Sequence, residues 1–343
     1  MTNLKKQLIA LSVIKVLLKR FETFPIDASN NRNAPFHEAF LKAFKDRLEN
    51  KVSDVPFFIS LSSWLHGLNT TLGQTFFERV SHILSDGEKR EYTSKKLGNL
   101  KIYQLQKDKI NEIMTDLSNS EKIPNLEQET NEIFTINRGN LTNALDFSAD
   151  VFIEDNNSVT AIEIKSVKPN SGEMKGEKQK ILEGKTALKK LFPKKKIYFY
   201  MGFPFDPTND TKTGHNKTRF LKSIINMIKF FDPSETLIAG ELWDKLSGEN
   251  KTMEKILEII NTISTPNFIK KFNFLQNSLN RGNPRYLKIL EEWFLFSEAE
   301  LLKKDSHIKT NAKNHNNLQK IYHQQIFVGD EYNWQRFNEL SKI

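Results

Sequence analysis

The chain has no cysteine, and that absence excludes disulfides, thiolate metal sites and cysteine nucleophiles. No glycine-rich phosphate-cradling loop is present, so an ATP-driven motor is not expected, and Gly67 to Gly73 reads as a connection between helices. Histidine is scarce, at seven residues. Neither His215-Asn216 nor His315-Asn316-Asn317 has a second histidine at ligand spacing, which argues against a histidine-based nuclease. No stretch approaches the about 18 uninterrupted apolar residues of a membrane span. The apolar run from Leu4 to Arg20 contains Lys15 and is followed by no small-residue cleavage site. It therefore reads as an amphipathic helix, and the protein is expected to be soluble and cytoplasmic. No internal repeat is found.

What the chain does contain is enough apolar material, 38% of 343 residues, to bury a core in one large domain or two ordinary ones. Lys and Arg number 51 against 42 Asp and Glu, a formal charge of +9. That balance favours a polyanionic partner, although free use of Lys, Asn, Ile and Phe in an AT-rich genome explains the charge equally well.

Helical spacing is expected over Phe36 to Leu48, over Val55 to Leu68 and over Leu72 to Leu84, the last carrying Glu78 at the edge of its apolar stripe. Lys89 to Lys101 reads as basic and turn-rich, Leu105 to Leu117 as a helix, and Ile133 to Ile136 as a short strand. Two strands follow, Ala149 to Ile153 and Thr160 to Ser166, joined by a turn through Asp155-Asn156-Asn157. A basic loop leads into a helix from about Glu177 to Leu191, and Ile197 to Phe203 is a continuous apolar run of strand length. Strand, strand, helix and strand imply an α/β core with a crossover connection. Beyond Pro204 the pattern is mainly helical: Arg219 to Phe231, Gly240 to Gly248, Met253 to Ile263, Asn267 to Leu279 and Arg285 to Leu302, with a short strand at Thr236 to Ala239. The boundaries expected are a helical N-terminal layer (1–70), an α/β core (71–207) and a mainly helical C-terminal region (208–343).

The hairpin carries the chemistry. Side chains on a strand alternate faces, so Glu163 and Lys165 point one way and Ile162 and Ile164 the other. With Asp150 brought alongside, two carboxylates and a lysine can bind a hard divalent cation and position a water beside it. A solvated strand face gives the same pattern, and Asp146 competes with Asp150 as the first acid. Asp150 is preferred because the strand run begins directly after it.

Asp150, followed thirteen residues later by Glu163-Ile164-Lys165 and then by a helix and an apolar strand, resembles the PD-(D/E)xK nuclease core. Ala149 stands where that motif usually has proline. Glu78, in Gly73-Gln74-Thr75-Phe76-Phe77-Glu78, matches the acid that an upstream helix often adds. Glu163 to Lys180, with Gly202-Phe203-Pro204-Phe205-Asp206-Pro207 downstream, is similar to the TdeIII group of type II restriction endonucleases.

The resemblance implies a mixed central sheet flanked by helices, with further helical N- and C-terminal regions. It implies Mg2+ held by Asp150, Glu163 and the Ile164 carbonyl, with Glu78 binding a second ion or orienting water, and Lys165 polarising the attacking water. The catalytic set expected is Asp150, Glu163, Lys165 and Glu78. Lys168, Lys175, Lys178 and Lys180 are candidate phosphate contacts, Gln179 a candidate helper; a solvated helix face is the alternative for each. The function implied is cleavage of double-stranded DNA at a short palindrome, guessed as GGNCC-like, leaving 5′-phosphate ends. A homodimer and a DNA methyltransferase in the same system are expected with it. A repair or recombination nuclease of the same fold and a non-catalytic basic DNA-binding protein are the rivals.

Overall fold

The structure, a computed structural model, describes residues 1–26, 55–165, 173–313 and 315–343. The expected helix over Phe36 to Leu48 lies outside these residues. The described chain divides into two compact units, Phe77–Ile256 together with Met1, and Thr2–Phe76 together with Leu257–Ile343. The first unit extends past the expected core boundary at residue 207, and the second combines N- and C-terminal helices in one body.

The first unit is built on a five-stranded sheet. Helix α1 (Phe77–Ser85) precedes β1 (Glu88–Tyr92), β2 (Lys101–Tyr103), α2 (Gln104–Asn119), α3 (Leu126–Phe134), β3 (Leu141–Asn143), β4 (Phe147–Glu154) and β5 (Ser158–Ile164). Then come α4 (Glu173–Leu191), β6 (Lys196–Phe203), β7 (Thr236–Ile238) and α5 (Gly240–Ser247). The strand order is β1-β4-β5-β6-β7, with β2 and β3 forming a separate ribbon. β1 and β5 run antiparallel to β4, whereas β5, β6 and β7 are parallel. This is a mixed α/β sheet of the restriction-endonuclease-like kind, with α4 as the crossover from β5 to β6.

The expected hairpin is β4–β5. Its turn is held by Asp155, whose Oδ1 accepts from the backbone N–H groups of Asn157 and Ser158, both at 2.7 Å. Val159, Thr160, Ala161 and Ile162 are all buried, as expected of a strand covered on both faces. On one face α4 approaches closely enough that a Cβ at Gly184 would come within 3.0 to 3.2 Å of the Phe199 and Phe147 rings. On the other, a Cβ at Gly202 would stand 2.9 Å from Ile162 and 3.1 Å from Leu242 of α5. Both glycines are there to let helices reach the sheet.

Three expectations are corrected. The stretch Lys89 to Lys101, read as turn-rich, opens inside edge strand β1, Glu88–Tyr92. Its Glu-Lys-Arg-Glu sequence hides the strand, because an edge pairs on one side and tolerates charge. Ile133 to Ile136, read as a strand, adjoins and overlaps α3. That helix is started by Asn125, whose side chain caps Gln128 N–H, with Glu127 and Glu129 in the first turn favouring its positive end. The helix expected over Arg219 to Phe231 is broken into Lys217–Lys222 and Met227–Phe230 at Asn226, which sits in the left-handed region at φ 62°.

In the second unit the N-terminal apolar run is the helix Asn3–Glu22, with Ile9, Ala10, Val13 and Ile14 in the core. Phe21 stacks on Phe268 and Phe268 on Trp293, with centroids 5.7 and 5.3 Å apart. Among the described residues no helix is long and apolar enough to cross a membrane.

Candidate active site

Glu163 and Lys165 stand where β5 leaves the sheet, and the alternation of strand side chains brings them together: Lys165 Nζ donates to Glu163 Oε1 at 3.2 Å. The first turns of α4 lie over this end of the strand. From them Lys180 reaches the same Glu163 oxygen at 3.3 Å, and Glu177 binds Lys165 at 3.1 Å and Lys180 at 2.7 Å. Two acids and two lysines thus alternate in a closed ring. Burial pushes the Glu177 carboxyl up, but the hydrogen bond from Lys180 and the charges of Lys165 and Lys180 outweigh it and hold it below the usual range. For Lys165 burial acts downward, and Glu163 and Glu177 more than compensate, so it is held as an ammonium.

Asp150 is positioned by an irregularity in β4. Glu88 pairs with Phe152 but Arg90 pairs with Ala149, so β4 has one more residue than β1 opposite Lys89. Such a bulge re-aims a side chain. The β4–β5 pairing ends at Val151 and Ile162. Beyond it the Asp150 side chain takes over, Oδ2 accepting from Ile164 N–H at 2.8 Å. His82 on α1 fixes the other side of the residue, with Nε2 2.6 Å from the Asp150 carbonyl oxygen. A carbonyl only accepts, so this ring nitrogen carries the proton.

Glu78, one turn earlier on α1, faces the same place. Lys89 Nζ lies 3.2 and 3.3 Å from the two Glu78 oxygens and 3.2 Å from Asp150 Oδ1. Burial, and then the charge of Asp150, raise the Glu78 carboxyl against the opposing pull of Lys89.

The fit to a divalent ion follows from these donors. All are hard carboxylate oxygens of the type that Mg2+ or Ca2+ takes, and Glu78 and Asp150 already converge on one cationic group. They are arranged as two ammonium-held sets, Glu78 with Asp150 and Glu163 with Glu177. Among the described residues no three acids or histidines form a ready metal cluster.

The structure therefore brings Glu78, Asp150, Glu163 and Lys165 to one end of the sheet. It also separates them from other residues singled out in the sequence. Asp146 is exposed and accepts a hydrogen bond from Asn99, away from this site. Lys178 is corrected: it is fully buried and ion-paired to Glu129 at 2.6 Å and Glu235 at 2.7 Å, so it cannot meet a phosphate. Gln179 donates to Glu183 at 3.1 Å and Asn111 at 3.4 Å rather than to the acids of the site. Lys175 is exposed on α4, and Lys168 lies outside the described residues.

His82, Lys89 and Glu177 were missed in the sequence. Glu177 carried a usable signal, three residues before Lys180 on a helix. Lys89 carried none, because it sits on the charged edge strand.

The sequence matches, over residues 1–264, the model of the family described as "Type II restriction endonuclease, HinfI". It is also 41% identical to the type II restriction enzyme MjaII of Methanocaldococcus jannaschii, in an alignment covering 98% of this chain and 94% of that protein. The restriction-endonuclease resemblance holds, and the family named by the match is HinfI, where the sequence motifs had suggested TdeIII. Type II restriction enzymes are site-specific endonucleases acting on double-stranded DNA, and this chain belongs to their HinfI family.

Proposed function

We propose that Asp150, Glu163 and Lys165 form the phosphodiester-cleaving centre of this restriction endonuclease, with Glu78 as an auxiliary acid. The observation that carries the reading is the end of β5, where Glu163 holds Lys165 while Asp150 is locked to the backbone of Ile164. A divalent ion, expected to be Mg2+, would be held by Asp150, Glu163 and the Ile164 carbonyl; it would supply Lewis acidity and lower the pKa of a bound water.

The chain's own residues do the rest. The Lys165 ammonium lies at hydrogen-bonding distance from Glu163, so it is placed to orient a water and to stabilise charge gathering on the phosphate. His82 and the Ile164 N–H hold Asp150 at its backbone and side chain, which fixes the carboxylate without a loss of side-chain freedom on binding. Glu177 and Lys180 hold Lys165 and Glu163 from the helix side. Lys175, exposed on the same helix, is available to a neighbouring phosphate.

The finer expectations rest on the resemblance: 5′-phosphate ends, a GGNCC-like palindrome, a homodimer that cuts both strands, and a methyltransferase protecting the same site. Incubating the purified protein with phage DNA and Mg2+ should give discrete limit fragments, whose mapped ends define the site and stagger. If Asp150→Asn or Lys165→Met protein gives the same fragments at the same rate, these residues are not the centre.

A further inference from the structure

Several lysines of this unit each bridge two carboxylates, and Lys178 and Lys89 do so in contrasting surroundings. Lys178 does so with no solvent exposure, sealed between Glu129 and Glu235. Lys89 does so at the active-site end of the sheet, where its side chain is 38% exposed while those of Glu78 and Asp150 beneath it are 20% and 12% exposed. It belongs to edge strand β1, so its long side chain has open solvent to swing into.

Two acids that share one cation are held together against their own repulsion. Any other cation that is to bind both must break the ion pairs already made. The Lys89 ammonium makes both pairs, and its side chain is the most exposed of the three. A second cation that is to bind both acids therefore has to displace Lys89.

From this, and resting on the assignment of Asp150 to the metal site, we propose that Lys89 is an exchangeable counter-cation. It holds Glu78 and Asp150 together and is displaced when a divalent cation binds Asp150, the acid it shares with the metal site, and so weakens the affinity of that site for metal. Its role is to set a threshold of metal concentration; it makes no contact with the scissile phosphate in this arrangement.

The test is metal binding by the full chain without DNA, with free Mn2+ read from its electron paramagnetic resonance signal during titration. Lys89→Met should bind Mn2+ about tenfold more tightly, because two partly exposed ion pairs no longer have to be broken. Lys89→Arg, which keeps the charge, should stay within about twofold of the parent. Asp150→Asn should weaken binding. Unchanged or weaker binding in Lys89→Met, with Asp150→Asn weakened, overturns the counter-cation role alone. Unchanged binding in Asp150→Asn overturns the metal-site assignment and this inference together. Lys89→Gln replaces the methionine variant if that one does not fold, with the same expected tightening.

Discussion

Lys178 and Lys180 sit two residues apart on α4, and side chains at that spacing project about 160° apart around a helix. Lys180 turns to the open end of β5 and shares Glu163 and Glu177 with Lys165. Lys178 turns inward to a sealed pocket of charge between Glu129 and Glu235. Both are lysines bound to two acids, yet one cluster is reachable from solvent and the other is not. The lesson is that a charge in a motif-rich stretch has no meaning until its direction is known. A buried pair fixes where the helix lies, and the open ring uses that placement.

Four outcomes would break or sharpen this contrast. The largest effect is expected in cleavage: Lys165→Met should lower the rate by at least about a hundredfold, with a thermal midpoint close to that of the parent. A comparable loss of folding in that variant would make the open ring structural too.

Next, Lys178→Met leaves Glu129 and Glu235 buried without their cation and should cost about 3–5 kcal/mol in urea unfolding. A loss below about 1 kcal/mol would show that the sealed cluster does not anchor α4. Gly184→Ala, which forces a methyl group toward Phe147 and Phe199, should cost about 1–3 kcal/mol by the same measurement.

The smallest effect is in pH dependence. The Glu177 carboxyl is held below its ordinary value in the fold, so its contribution is present above about pH 4.5 and is lost as pH falls through the lowered value. Glu78 is shifted the other way, so its contribution is present below that pH and is lost as pH rises through the raised value. Unfolding midpoints between pH 3 and 7 should therefore fall less steeply on the acid side in Glu177→Gln than in the parent. In Glu78→Gln they should hold up better toward neutral pH. The same profile in parent and both variants would contradict the two assignments.

Much of the central architecture was legible. The alternation in β5, the Asp155 turn and the apolar run of β6 are local signals, and they place Glu163 and Lys165 on one face without any tertiary knowledge. Asp150 was preferred for a reason that does not operate: β4 begins at Phe147, directly after Asp146, so Asp150 lies inside the strand, and a bulge opposite Lys89 aims its carboxylate. Bulges depend on the partner strand, and β1 was hidden by its charge. The burial of Lys178 was also illegible, since nothing in a run of lysines says which one meets Glu129 and Glu235, distant in sequence and supplied by other elements. Local patterning gave the strands, while long-range pairing decided which charges face the site.

The bond from Ile164 N–H to Asp150 Oδ2 has one further consequence. Ladder amides are shielded by a neighbouring backbone, but this one is shielded by a side chain that also belongs to the candidate site. Its hydrogen–deuterium exchange is therefore tied to the state of a single carboxylate. One backbone amide signal at position 164 becomes a built-in reporter of whether Asp150 is held against β5 or engaged elsewhere, readable without DNA and without turnover.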